Sequence, residues 1–219
     1  MLFVGSAIPH DDNAEDVYMN KTLERLSEFR PSGGINTFNG AIEKILSECK
    51  ITSWPVKIEE IYHKFKIKLV QSKLSDFGEE YAGKRGYIIA ADDKIAAEKG
   101  VSSIIANIEE SDPYERRRFT AAHEFSHAIL HLLDELKNNE GIVAKTTRDL
   151  SEEWMPEERM ANEFAAQLLM PEAMVREAYN SFLIKSVRLL AKDFEVSPVV
   201  MKERLDNLGL AGYFNDVTA

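Results

Sequence analysis

Three of the chain's five histidines, His123, His127 and His131, fall within nine consecutive positions. Two histidines four residues apart on a helix stand one turn above each other, so one zinc ion can accept a nitrogen from each. A glutamate between them, about 100° round the helix, points at a water on that ion. His123-Glu124-Phe125-Ser126-His127 has this form, and the chemistry it suggests is hydrolysis by an activated water with Glu124 as proton acceptor. His127 and His131 share the spacing, but His131 lies about 12 Å along the axis from His123, too far for one ion to bind all three. The pair that brackets Glu124 is therefore the candidate, and His131 is assigned to packing or to support of the ligands.

Such a pair needs a helix, and the residues ahead of it can start one. Asp112 suits the N-cap, Pro113 the first helical position, and Glu115 the place from which a carboxylate reaches back to the cap. Phe119, Ala122, Ser126, Ile129, Leu130 and Leu133 then form one mainly apolar stripe with both histidines along its edge. A catalytic zinc takes a third protein ligand and leaves a position open. Leu130 and Leu133 occupy the places where a glycine and a third histidine could follow the motif, and Cys49 sits in Ser-Glu-Cys-Lys, a poor setting for a ligand. A downstream carboxylate remains. On a helix opening after Pro156, Glu158 and Asn162 border the stripe of Met160, Ala161, Phe164, Ala165, Leu168 and Leu169, on the same edge that His123 and His127 occupy on theirs. Glu163 faces away, and Glu157, at the frayed start of the stripe, stays open as the alternative.

The rest of the chain must position these two helices. Residues 1–36 read as an N-terminal extension and linker, with a helix over about 14–29 before the breakers Pro31-Ser32-Gly33-Gly34. Ile42, Ile45 and Leu46 predict a helix from Phe38 to about Cys49, and Pro55-Val56 opens another through Ile58, Ile61 and Tyr62. Strand-like runs follow at 67–70, 86–90 and 102–108, with Asp92-Asp93 as a turn; after Pro113 the chain reads as helical to its end. The fold class is α+β, a small β-sheet packed on helices. The chain is expected to divide into 1–36, a catalytic domain over 37–175 and a C-terminal helical subdomain over 176–219. That last part carries the cadence of a helix-turn-helix in Ser186–Leu210. Lys202 and Arg204 are offset there by Glu203 and Asp206, which points to packing or partner docking instead of base reading.

Composition narrows the function. With 27 Lys+Arg against 37 Asp+Glu, the net charge of −10 disfavours a protein that coats nucleic acid, and the triplet Arg116-Arg117-Arg118 does not reverse it. A single cysteine, Cys49, excludes an internal disulfide framework and a cysteine-built zinc knuckle. The opening Met-Leu-Phe-Val-Gly lacks a basic segment, and no run approaches the roughly eighteen apolar residues of a membrane span. The expectation is a cytoplasmic protein without a membrane partner.

The segments Arg116–His127 and Glu157–Pro171 together resemble the ImmA/IrrE family of metallopeptidases, over about 38–210. The resemblance implies a thermolysin-like helix pair in which His123, His127 and Glu158 hold Zn2+ (Mn2+ suits the same donors), Glu124 is the general base, and Asn162 orients a histidine ligand. It also implies that the protein cuts a repressor of the phage-repressor or Xre type, and so switches on a mobile element or a stress response. The alternative is a zinc-stabilised module that sequesters such a partner, or an antitoxin, without cutting it. The run 102–111 is a candidate edge strand for holding the substrate, or else a buried strand with Ile104 and Ile108 in the core. Tyr81, Tyr87 and Arg118 are unranked candidates for stabilising the oxyanion.

Overall fold

The computed structural model describes residues 20–138, 142–147, 155–181 and 186–210. Helix α1, Lys21–Ser27, is capped by Asn20, whose side chain accepts from the Leu23 N–H and donates to the carbonyls of Ala91 and Ser103. This part of the expected extension is not peripheral. Leu23 and Leu26 are fully buried in the main apolar cluster, a place that the polar flanks of the helix conceal in the sequence. The first half of the predicted helix, 14–19, lies outside the described residues. Helix α2, Phe38–Cys49, buries Phe38, Ala41, Ile42, Ile45 and Leu46 on one face, as the spacing predicts, and α3, Ile58–Lys64, does the same with Ile58, Ile61 and Tyr62.

Strands β1 (Lys68–Ser72), β2 (Gly86–Ala91), β3 (Ile104–Glu109) and β4 (Ile142–Thr147) form one sheet in the order β1-β3-β2-β4. β1 runs parallel to β3, while β2 is antiparallel to both β3 and β4. β3 is thus paired on both sides, so the buried-strand alternative for 102–111 holds and the edge-strand one does not; Ile104 and Ile108 are core residues. β4 corrects the expectation of helix throughout the C-terminal half. Asp92 does not simply turn the chain: its carboxylate accepts from the Lys94 N–H and caps α4, Asp93–Lys99, which ends at Gly100 in the left-handed region.

Helix α5, Tyr114–His127, crosses the sheet and is followed by a π-turn, Ala128–Leu132, and by α6, Leu133–Asn138. Asp112 does not cap α5 as expected: Pro113 holds the N-cap position with no side-chain cap, and Asp112 Oδ1 pairs instead with Arg85 at 2.7 Å. The π-turn widens the helix just after His127 and changes the hydrogen-bond pattern. Arg30 closes that region, donating from Nε and Nη2 to the carbonyls of Ile129 and Leu130 and from Nη1 to Asp134. Helix α7, Pro156–Leu169, packs along α5 through Ala161, Phe164, Ala165, Leu168 and Leu169.

Helices α8 (Glu172–Ser181), α9 (Val187–Asp193) and α10 (Pro198–Asn207) complete the fold. The last two form the expected helix pair, turning at Glu195 in the left-handed region (φ 53°). Leu190, Phe194, Met201 and Leu205 belong to the same apolar cluster as α2, α5 and α7. Arg204 is turned inward, with Nε donating to the Met170 carbonyl, and Lys202 pairs with Asp206. No helix among the described residues is long and apolar enough to cross a membrane.

Candidate metal centre

Two faces of α5 meet two different partners. Ala121, Ala122 and Phe125 are buried, and Phe125 sits against Tyr62 and Phe65 with ring centroids 5.9 and 5.7 Å away. With each buried aromatic contributing about 2 kcal/mol or more, this packing fixes the helix's rotation. That rotation turns His123 and His127 toward α7, where Glu158 stands in the first turn. Glu157, the open alternative, is exposed, whereas Glu158 is buried.

The donor atoms converge. His123 Nε2 lies 3.2 Å from Glu158 Oε2, His127 Nε2 lies 3.1 Å from Glu158 Oε1, and the two Nε2 atoms are 3.0 Å apart. Ligands of a tetrahedral zinc at roughly 2.1 Å stand about 3.3 Å from each other, so one ion fits this set with shifts of a few tenths of an ångström. His123, His127 and Glu158 form the metal-competent cluster among the described residues. Burial would raise the pKa of Glu158, but hydrogen bonds with His123 and His127 outweigh it and hold the carboxyl well below its ordinary value. A carboxylate that stays charged beside two imidazoles is a ready ligand for a divalent cation.

Asn162 stands one turn after Glu158, with Oδ1 2.9 Å from His123 Nδ1. An amide oxygen accepts from an Nδ1–H, which leaves the Nε2 lone pair for the metal. The structure thus brings together His123, His127, Glu158 and Asn162. His127 Nδ1 is buried without a hydrogen-bond partner among the described residues, so Asn162 orients one ligand and not the other. His131 stays outside the cluster; its ring stacks at a tilt 5.4 Å from that of His127.

Glu124, about 100° round α5 from His123, is fully buried, with its carboxylate against Gly86 of β2. The three candidates for an oxyanion group do not face this site. Arg118 is 2 % exposed and joins α5 to other segments, donating to the carbonyls of Glu195 and Val56 and pairing with the Glu195 carboxylate. Successive strand residues point to opposite faces, so Tyr87 lies on the face of β2 away from α5. There its hydroxyl accepts from Asn107 Nδ2, and Tyr81 packs on its ring. Sequence reasoning missed Gly86 and Arg30. An isolated glycine inside a strand pattern was the available signal for the first; no local pattern marks the second.

The contrast between Glu158 and Glu163 gives a direct test. Glu163 accepts a hydrogen bond from Gln167 within α7 and faces away from the histidines. Glu158→Ala is expected to weaken zinc affinity by a hundredfold or more, and Glu163→Ala to leave it within a few-fold, as read by competition with a chromophoric chelator. Equal affinities in the two variants would show that Glu158 is not a ligand.

A mixed sheet crossed by a His-Glu-x-x-His helix, with a metal-competent carboxylate on α7, is the make-up of a metallopeptidase-like domain. Residues 103–206 match the model of the IrrE N-terminal-like domain, Peptidase_M78. No curated protein matches the sequence. Among solved structures, a Mycobacterium tuberculosis transcriptional regulator is similar in fold, with a TM-score of 0.50 and 16% identity over 84% of this chain and 51% of that one. This chain therefore spans about half the length of that structure.

Proposed function

We propose that this protein is a zinc-dependent endopeptidase that cuts and inactivates a transcriptional repressor of the phage-repressor or Xre type in the cytoplasm. The observation that carries the reading is the convergence of His123 and His127, on the helix that also carries Glu124, with Glu158 of α7, all within hydrogen-bonding distance of one another. Zinc held there would polarise the scissile carbonyl and acidify the attacking water. Glu124 takes the proton of that water and passes it to the leaving amine. Asn162 keeps His123 in the tautomer that presents Nε2. The substrate strand belongs beside β4, not β3. β4 lies at the edge of the sheet, and its Thr147 pairs with Gly86, against which Glu124 rests. An extended peptide added to that edge would run along the Glu124 side of the sheet. A cavity of about 610 Å³ between α5, α7 and α10, with Asn162, Phe119 and Arg204 in its wall, offers room for substrate groups beyond the scissile bond and supports narrow specificity.

The experiment uses the purified, zinc-loaded chain and a repressor of the phage-repressor or Xre type from the same genome. One discrete fragment by mass spectrometry, lost after chelation with EDTA and regained with added zinc, is the expected result. A repressor left intact under all three conditions, yet bound to the protein in size-exclusion chromatography, would identify the non-catalytic sequestering module instead.

A further inference from the structure

Gly86 pairs with Ile108 on one side and Thr147 on the other, so no bulge or chain end calls for glycine there, and its φ lies outside the left-handed region. The backbone at this position suits any residue. What excludes a side chain is space: a Cβ on Gly86 would lie 2.7 Å from Glu124 Oε1, 2.7 Å from Thr120 Cγ2 and 3.3 Å from the Asn107 carbonyl oxygen. Thr120 and Glu124 are four apart on α5 and share the face that rests on β2. We propose that Gly86 is a positioning residue for Glu124: the space left by its missing side chain is where the Glu124 carboxylate sits, and this sets how that carboxylate meets the attacking water. The inference rests on the reading of Glu124 as general base.

The neighbours differ in how readily they yield. β2 is held on both edges by β3 and β4, and Asn107 O is backbone. Thr120 is buried and β-branched, hence stiff at χ1. Glu124 Oε1 is the far end of a flexible side chain, so it is the group that moves when a methyl group arrives. Gly86→Ala therefore displaces the carboxylate, and it also crowds the equally close Thr120 methyl, which Thr120→Ser relieves. Positive-φ glycines such as Gly100, which end helices, would respond to substitution with backbone strain instead.

The test uses the zinc-loaded full chain and acetohydroxamate, a metal-binding probe that gives up a proton to a nearby carboxylate as it binds. Wild type, Gly86→Ala, Glu124→Gln and the double variant Gly86→Ala/Thr120→Ser, which removes the Thr120 methyl, are compared by calorimetric titration, with zinc content by elemental analysis and folding by circular dichroism. Gly86→Ala and Glu124→Gln are expected to hold zinc as wild type does and to bind acetohydroxamate at least tenfold more weakly. The double variant is expected to recover part of the loss while staying weaker than wild type, because the Cβ still meets Glu124 Oε1, and it carries the test if Gly86→Ala alone does not fold. Weak binding by Glu124→Gln with wild-type binding by Gly86→Ala, or by the double variant where that one stands in, would overturn the role of Gly86 and leave the general base in place. Wild-type binding by Glu124→Gln would overturn the base assignment itself, and this inference with it.

Discussion

Glu124→Gln is expected to abolish cleavage of the partner repressor while leaving the protein folded and zinc-loaded. The carboxylate is fully buried on the sheet side of α5 and is not among the three clustered donors, so an isosteric amide removes no metal ligand. What it removes is the ability to accept a proton, a contribution worth roughly a hundredfold to ten-thousandfold in rate. Wild type and variant co-expressed with a repressor of the phage-repressor or Xre type from the same genome give the readout: a discrete product by mass spectrometry with the first and intact repressor with the second. If the variant relieves repression as well as wild type does, with the repressor uncut in both, the protein acts by sequestration.

The second large effect is on the metal. His123→Ala or His127→Ala leaves two protein donors for an ion that already keeps one position open, so either is expected to lose zinc through gel filtration. The loss should exceed that of Asn162→Ala, which keeps all three donors but frees the His123 ring; removing such an orienting partner typically costs about ten- to hundredfold in affinity. His131→Ala should retain near-stoichiometric zinc, because His131 stands outside the cluster. Elemental analysis of the four variants decides it. Near-stoichiometric zinc in both His123→Ala and His127→Ala would mean that the ion, if bound, sits elsewhere.

The candidate metal site is legible in the sequence because its parts are local. His123, Glu124 and His127 lie within one turn and a half of a helix, and Glu158 and Asn162 within one turn of another, so the 3.6-residue period alone sets which groups share an edge. The two apolar stripes then have one way to bury themselves, against each other, and that packing brings the two edges together. The α+β class followed from runs of similarly local character at 38–49, 86–90 and 102–108.

What only the tertiary structure decided depends on residues far apart in the chain. Strand order is set by which edges can pair over the whole sheet; nothing within 102–111 says that β1 and β2 flank it, and the late strand β4 occupies the edge instead. Arg118 reads as a cation near the motif, yet the carbonyls of Val56 and Glu195 draw it inside. Arg30 reads as a linker residue, yet it caps the widened turn about a hundred residues downstream. Gly86 reads as an ordinary strand glycine until α5 is laid across β2 and Glu124 arrives above it. Helical period fixes a residue's direction on its own element, whereas its partner is chosen by long-range packing, in which a buried polar group must find whichever donor or acceptor the assembled core places beside it.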